Sequence, residues 1–276
     1  MTTGKAPGKI NLALVVGPLR DDGKHEVATV LQAIDLVDAL AVEPAPDLQV
    51  TGFEDDTLVE RALRALAEVV GVDARWHVRI VKRIPVAAGL AGGSSDAATA
   101  LRLANDQLAE PLPADRLVEL AAGLGADVPF FLASGSELGT GDGTQLEPLD
   151  LPLDYAVLVL LPGGVTKTST AAVYGEFDRR GGEEGFEARL AGLDDALRRV
   201  RTARDLGALP PNDLVSSPLT AEFARLGAFR ADVSGAGPAV YGLFDDEAAA
   251  KRAEAVLGGL GATRVCAPCR GTVGPR

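Results

Sequence analysis

The chain has 276 residues, 47% of them hydrophobic, which is enough to bury a substantial core and excludes a disordered polypeptide. Its 39 acidic residues against 27 basic ones leave a net charge of −12, which argues against nucleic acid or an anionic membrane surface as the main partner. Two cysteines rule out a disulfide scaffold, and no apolar run reaches the roughly 20 residues that span a bilayer. With no signal-peptide core in residues 1–9, a cytoplasmic protein is expected, monomeric or a homodimer, with a small-molecule substrate.

Along the chain, residues 9–16 alternate as a strand, and 27–42, rich in Val, Ile and Leu, read as a second strand or a hairpin. Residues 57–70 have helical spacing, with Leu58, Ala62, Leu66 and Val69 on one face. Residues 75–82 return to period two, with Trp76, Val78, Ile80 and Lys82 on one side. A breaker-rich loop follows, then an alanine-rich helix over 95–108 and another over 117–124, ended by Gly125. Residues 155–161 form an apolar strand, and Pro152 marks a boundary between halves 1–151 and 152–276. The second half predicts helices near 170–177 and 189–204, strands at 229–233 and 239–244 around a glycine turn, a helix at 247–257 and a last strand at 263–267. Strands and helices alternate without regular βαβ spacing, so the fold class is α+β in two domains.

The sharpest segment is Pro85-Val86-Ala87-Ala88-Gly89-Leu90-Ala91-Gly92-Gly93-Ser94-Ser95. Small residues there let the backbone approach a ligand and aim consecutive N–H groups at it. The helix start behind the loop adds donors and a positive dipole end, a combination that suits phosphate. Ser94 and Ser95 are placed to cap that helix or to help hold a phosphate-bound cation. A flexible Gly/Ser linker is the alternative, but it would not join a compact strand to an alanine-rich helix. The segment is not a Walker loop, because no Lys follows the glycines. Gly163-Gly164-Val165-Thr166-Lys167-Thr168 imitates one but has Thr166 where the second glycine belongs, and Gly235-Ala236-Gly237-Pro238 lacks the third small residue of a dinucleotide fingerprint.

Two charged residues stand in apolar surroundings and are candidates for chemistry. Asp127 stands between Ala126 and Val128-Pro129-Phe130-Phe131, where a desolvated carboxylate suits a base that orients or deprotonates a hydroxyl; a helix-capping Asp is the alternative. Lys9 opens an apolar strand and, beside Asp127, would fix the carboxylate and stabilise developing negative charge; a solvent-facing edge lysine is the alternative. Asn11 shares the face of Lys9 and can hydrogen-bond a substrate.

The loop resembles the second motif of the GHMP kinase superfamily. Pro7-Gly8-Lys9-Ile10-Asn11-Leu12 resembles its first motif, and Asp232-Val233-Ser234-Gly235-Ala236-Gly237-Pro238-Ala239-Val240 resembles its third, over residues 6–267 in all. Asp22-Gly23-Lys24-His25-Glu26, Gly125-Ala126-Asp127-Val128-Pro129-Phe130-Phe131 and Asn212-Asp213-Leu214 are similar to the branch whose acceptor is a cytidine-diphosphate-linked alcohol. The resemblance implies an ATP- and Mg²⁺-dependent kinase, with an N-terminal α+β domain and a ferredoxin-like C-terminal domain around a shared cleft. It assigns Lys9 and Asp127 to catalysis, residues 85–95 to ATP, and Asn11, Lys24, His25, Tyr174 and Gly235 to the acceptor. His25 would contact the cytosine and Tyr174 would stack on it, a turn histidine and a core tyrosine being the alternatives; His77, flanked by Trp76 and Val78, reads as structural. Lys24 departs from the pattern, since that branch usually carries Tyr there. The departure keeps open a family kinase for another alcohol, such as homoserine or mevalonate, and a non-catalytic metabolite binder. Asp96 would add negative charge near the phosphate, offset if it caps the helix. No metal ligands are assigned. Cys266-Ala267-Pro268-Cys269 lacks partners for a zinc site and the helix of a thioredoxin motif, so two plain thiols are expected.

Overall fold

The computed structural model describes residues 1–53, 57–133, 135–165 and 169–271; Thr166, Lys167 and Thr168 of the rejected Walker imitation lie outside them. Strands β1 (Thr2–Leu19) and β2 (His25–Pro44) form a long antiparallel hairpin, from Thr2↔Val42 to Leu19↔His25. Gly23, at φ +78°, supplies the left-handed residue that the connecting turn needs. The 27–42 segment is therefore one continuous strand rather than a hairpin. Its far edge is shared end to end by β4 (Trp76–Val81) and β5 (Ser136–Gly141). The short β3 (Gln49–Thr51) joins β4 in parallel, and β6 (Gln145–Pro148) closes the other end against β5.

Helices α1 (Thr57–Val70), α2 (Gly92–Asn105) and α3 (Ala114–Ala122) cover one face of this sheet, with Leu63, Leu66, Leu101 and Phe130 at the centre of their core. On α1 the buried stripe is Val59, Ala62, Leu63, Leu66 and Ala67, so the expected stripe is rotated and Val69 is exposed. α2 begins three residues before the expected 95 and ends at Asn105, because Ala91 takes a left-handed N-cap conformation that starts the helix on the two glycines. Ser94, Ser95 and Asp96 consequently sit inside the helix, and none of them caps it.

The second sheet has the order β10-β7-β9-β8, from β7 (Ala156–Pro162), β8 (Arg230–Val233), β9 (Val240–Phe244) and β10 (Gly261–Cys266), all antiparallel. Helices α6 (Leu219–Arg225) and α7 (Glu247–Leu257) back it around Phe223, Phe244 and Leu257. α4 (Thr170–Arg179) packs its Val173 and Phe177 on Leu14, Val16 and Val27 of the first hairpin. α5 (Phe186–Arg199) ends sooner than the expected 204, which belongs to a separate 3-10 turn, Ala203–Ala208. Between the sheets lies a shared core in which Ile10, Leu12 and Ile34 meet Val157, Val159 and Tyr241, with Leu193 of α5 at its side. Backbone hydrogen bonds fasten the halves. Asp213 N–H donates to Leu14 O at 2.9 Å, and after β10 the chain returns to the first sheet, where Cys269 N–H donates to Ala33 O at 2.9 Å.

Candidate active site

A cleft of about 570 Å³ opens between the small-residue loop, the middle of β1, the turn at Asp127 and the glycine turn at 234–238. Three main-chain anchors hold the loop in place. Lys9 N–H donates to Leu90 O at 3.0 Å, Ala239 N–H to Ala88 O at 3.0 Å, and the Ser234 hydroxyl to Gly89 O at 2.9 Å. Gly89 is at φ +86°, and a Cβ there would stand 2.1 Å from Ser234 O, so only glycine fits the contact. Ala87 and Ala91 also take left-handed conformations, at φ 61° and 54°, which strain an L-residue.

Pro85, Val86, Ala87, Ala88, Gly89, Ala91, Gly92, Gly93 and Ser94 line the cleft, whereas Leu90 packs into the shared core and Ser95 is fully buried. No side chain caps α2, which leaves the N–H groups of its first turn, Gly92 to Ser94, for a ligand. A Cβ built on Gly93 meets nothing within 4 Å: the space over it is open.

Lys9 reaches the cleft although it is only 4% exposed. Burial lowers its pKa, and the Asp127 charge acts through space in the opposite direction. The expected direct grip of Lys9 on the carboxylate is not made: its ammonium donates to Asn11 Oδ1 at 2.6 Å. A directed chain continues from there, Asn11 Nδ2 donating to Thr29 Oγ1 at 2.8 Å and that hydroxyl to Ala13 O at 2.9 Å. Asn11 keeps a second N–H for a ligand. Asp127 is half-buried in the turn before a 3-10 segment, Pro129–Leu132, lines the cleft and caps nothing. Gly235, at φ +55°, faces these groups; a Cβ on it would lie 3.3 Å from Lys9 Nζ.

Tyr174 lines the cleft and stacks on His25, ring centroids 5.0 Å apart at 27°. Burial, with Asp127 adding, pushes its phenol up to about 12. His25 itself sits behind Tyr174, buried, with Nδ1 2.8 Å from Gly17 O and Nε2 3.2 Å from Asp178 Oδ1. Its ring nitrogens are thus engaged by the protein, and it is the first residue of β2, not a turn residue. Lys24, 58% exposed at the rim, pairs with Asp142 at 2.5 Å. Asp142 does line the cleft; burial raises its pKa, but hydrogen bonds from Lys24 and Thr144 outweigh that and bring it down to about 2.

Sequence reasoning missed Lys82. Its ammonium lines the cleft 2.6 Å from both Asp38 Oδ2 and Asp96 Oδ2 and lies 5.6 Å over the Phe53 ring. Burial works against its charge, yet the two carboxylates raise its pKa. This pairing, not a helix cap, offsets the charge of Asp96. A lysine one residue past β4, continuing the side of Trp76, Val78 and Ile80, was the available signal, while its partners lie on other elements. The C-x-x-C thiols are free and pushed up by burial to about 12 for Cys266 and about 11 for Cys269, opposite to a reactive pair.

Comparison with known proteins agrees with this arrangement. The family models for the N-terminal and C-terminal domains of GHMP kinases match residues 57–135 and 216–262. A 4-diphosphocytidyl-2-C-methyl-D-erythritol kinase of Kineococcus radiotolerans is 40% identical over 91% of this chain and 83% of its own length. The enzyme of that name from Streptomyces coelicolor is 37% identical over 99% and 96%. Among solved structures, a 4-(cytidine 5'-diphospho)-2C-methyl-D-erythritol kinase superposes with TM-score 0.79 at 30% identity, covering 97% of this chain and 99% of that one. A mevalonate kinase, at 15% identity and TM-score 0.75, shares the fold. Among the described residues no helix is long and apolar enough to cross a membrane. With near-full-length relatives at this identity, the chain belongs to the GHMP kinases, in their 4-diphosphocytidyl-2-C-methyl-D-erythritol kinase branch, and is a small-molecule kinase.

Proposed function

We propose that the protein transfers the γ-phosphoryl group of ATP to the 2-hydroxyl of 4-diphosphocytidyl-2-C-methyl-D-erythritol, the substrate in its relatives' name. The observation that carries the proposal is the joint placement of Lys9, Asn11 and Asp127 in one cleft with an uncapped, glycine-lined helix start. The free N–H groups of Gly92, Gly93 and Ser94 hold phosphate oxygens, with the positive end of α2 behind them. Asp127 orients the acceptor hydroxyl and takes its proton as the new O–P bond forms and the bond from the γ-phosphorus to the β–γ bridging oxygen breaks, releasing ADP. Lys9, fixed by Asn11, supplies positive charge beside the attacking oxygen in a poorly solvated place, where it acts most strongly. Gly235 leaves room for that ammonium, and the free N–H of Asn11 contacts the acceptor.

The Ser94 hydroxyl and the Asp127 carboxylate are oxygen donors in the cleft, suited to Mg²⁺, which keeps several waters and shares its ligands with phosphates. Such an ion would neutralise charge between the β- and γ-phosphates. Tyr174 offers an aromatic surface for the cytosine, supported from behind by His25. Lys24, in the position where an aromatic is usual, is engaged with Asp142 and contributes charge at the rim instead of stacking. The boundary between domains falls at 151/152, after the first sheet ends at Pro148 and before β7 starts at Ala156. We place the enzyme in the cytoplasm, where its two free thiols are stable.

The test is an ATP-dependent phosphorylation assay with the cytidine compound, mevalonate and homoserine side by side. Turnover of the cytidine compound alone is expected. Turnover of one of the other alcohols, with the cytidine compound inert, would replace this substrate by a second family reading, which the Lys24–Asp142 pair favours.

A further inference from the structure

Behind the catalytic couple lies a buried polar network for which the reaction as described has no use. Arg230, on β8, is 7% exposed, and its guanidinium is saturated by main-chain carbonyls and two side chains. It donates to Leu209 O at 2.6 Å, Pro210 O at 2.8 Å and Leu206 O at 3.4 Å, and it meets Tyr241 Oη and Asp232 Oδ2 at 3.3 Å each. Two arms run from this hub to the cleft. Along the first, the fully buried Tyr241 donates its hydroxyl across the sheet interface to Asn11 O at 2.8 Å. Along the second, Asp232 accepts from Asn212 N–H at 2.9 Å, and Asn212 Nδ2 donates to Gly235 O at 2.7 Å and Val233 O at 2.9 Å. One arm ends on the residue that receives the Lys9 ammonium, and the other on the glycine facing that ammonium.

We infer that Tyr241 and Arg230 are positioning residues, which set Asn11, and through it Lys9, at a fixed depth against the Gly235 turn. The chemistry requires such a device. The groups that must be held within a fraction of an ångström come from both sheets, Lys9 and Asn11 from the first and Gly235 from the loop between β8 and β9 of the second. Apolar packing in the shared core brings the sheets together but can slide. Directional hydrogen bonds from a single guanidinium, whose planar fork is pre-organised, fix the register. Burial also excludes water from the Asn11 carbonyl, so the Tyr241 hydroxyl is its partner here, and losing it costs more than an exposed bond would.

The inference rests on the catalytic reading of Lys9, and the structure contains its own control. Tyr155 lies in the same core cluster, also buried, but its hydroxyl has no hydrogen-bond partner among the described residues. Tyr241→Phe and Tyr155→Phe therefore remove the same atom from the same core, and only the first cuts the network. For Tyr241→Phe we expect kcat to fall about tenfold, the scale of one buried hydrogen bond, with KM for ATP within about twofold. The alkaline limb of its pH–rate profile should move upward, because a loosened Lys9 is better hydrated and its burial-lowered pKa rises. Tyr155→Phe should leave kcat and the limb unchanged. Asp232→Asn, which keeps the shape and weakens the hold on Arg230, is read in the same way should Tyr241→Phe be insoluble. Two results overturn the inference: Tyr241→Phe (or Asp232→Asn) with wild-type kcat and limb whatever its stability, or Tyr155→Phe matching it in both. Wild-type protein inert toward the cytidine compound, or Lys9→Met with full activity, would strike instead at the proposed function.

Discussion

Replacing Gly93 by alanine separates the role we propose for the 85–95 loop in holding ATP from its role in the fold. Gly93 is the second residue of α2, lines the cleft, and its added Cβ meets no protein atom within 4 Å. For the fold alone the change is favourable, since alanine loses less conformational entropy than glycine in a helix; about 0.5–1 kcal/mol is expected. In a protein of this size that raises Tm by about 1–4 °C. If phosphate oxygens sit on the neighbouring N–H groups as proposed, the methyl intrudes on their approach, at a cost of about 1–3 kcal/mol. KM for ATP should therefore rise about 5–150-fold. Urea unfolding followed by the single, buried Trp76 reports the first quantity, and steady-state kinetics the second. A stabilised Gly93→Ala enzyme with unchanged KM for ATP would show that the open space over the helix start is not where the phosphates lie. Gly89→Ala should behave oppositely. Its Cβ collides with Ser234 O in a left-handed conformation, so a loss of about 2–5 kcal/mol is expected whether or not nucleotide is present.

Four more predictions rest on the same geometry. Ala91→Gly relieves a left-handed alanine at the N-cap of α2 and should stabilise the protein by about 0.5–1 kcal/mol in the same urea assay; a loss of stability would refute the strain. Because the pKa of Lys9 is lowered on folding, the unfolded chain binds more protons between that value and 10.5, so stability should rise with pH across the interval, and Lys9→Met should abolish the rise. The same lowering places the alkaline limb of activity below 10.5, which a pH–rate profile reads directly. Asp127→Asn should reduce kcat a hundredfold or more, the scale of a positioned base, while ATP affinity measured by titration calorimetry stays nearly constant; undiminished turnover would remove Asp127 from the proposed mechanism.

What was legible in the chain was whatever local chemistry decides. α7 (Glu247–Leu257) runs over the expected residues because Asp246 caps it, its side chain accepting from Ala249 N–H at 2.7 Å, and an apolar stripe of Ala250, Ala253 and Leu257 defines its buried face. The close backbone packing of the 85–95 loop was equally readable, since small residues let Gly89 sit against Ser234 O. β5 and β6 passed unnoticed because Ser-Glu-Leu-Gly-Thr-Gly has neither β-branched alternation nor bulk; it is a strand only because β2 offers an edge to pair with. The start of α2 could not be read from two glycines with poor helix propensity, as the docking of Leu90 O on Lys9 N–H sets it from outside. Distant partners were invisible for the same reason. Lys82 gave a clue by standing on an apolar face, but Asp38 and Asp96 come from β2 and α2, and His25 is buried by Tyr174 and Phe177 of α4.

The return of the chain to its beginning after β10 bears on how the molecule is made. Gln32, fully buried in β2, donates to the carbonyls of Gly135 and Cys269 at 3.2 Å each, and Asp35 N–H donates to Ala267 O at 2.9 Å. The stretch of β2 from Gln32 to Asp35, between the parts paired with β4 and β5, thus lacks some of its hydrogen-bond partners until residues 267–269 have been synthesised. A nascent chain halted anywhere before residue 267 would present a sheet edge with unpaired amides, open to the ribosome's surroundings. Completion of the first half therefore waits on translation of residues 267–269.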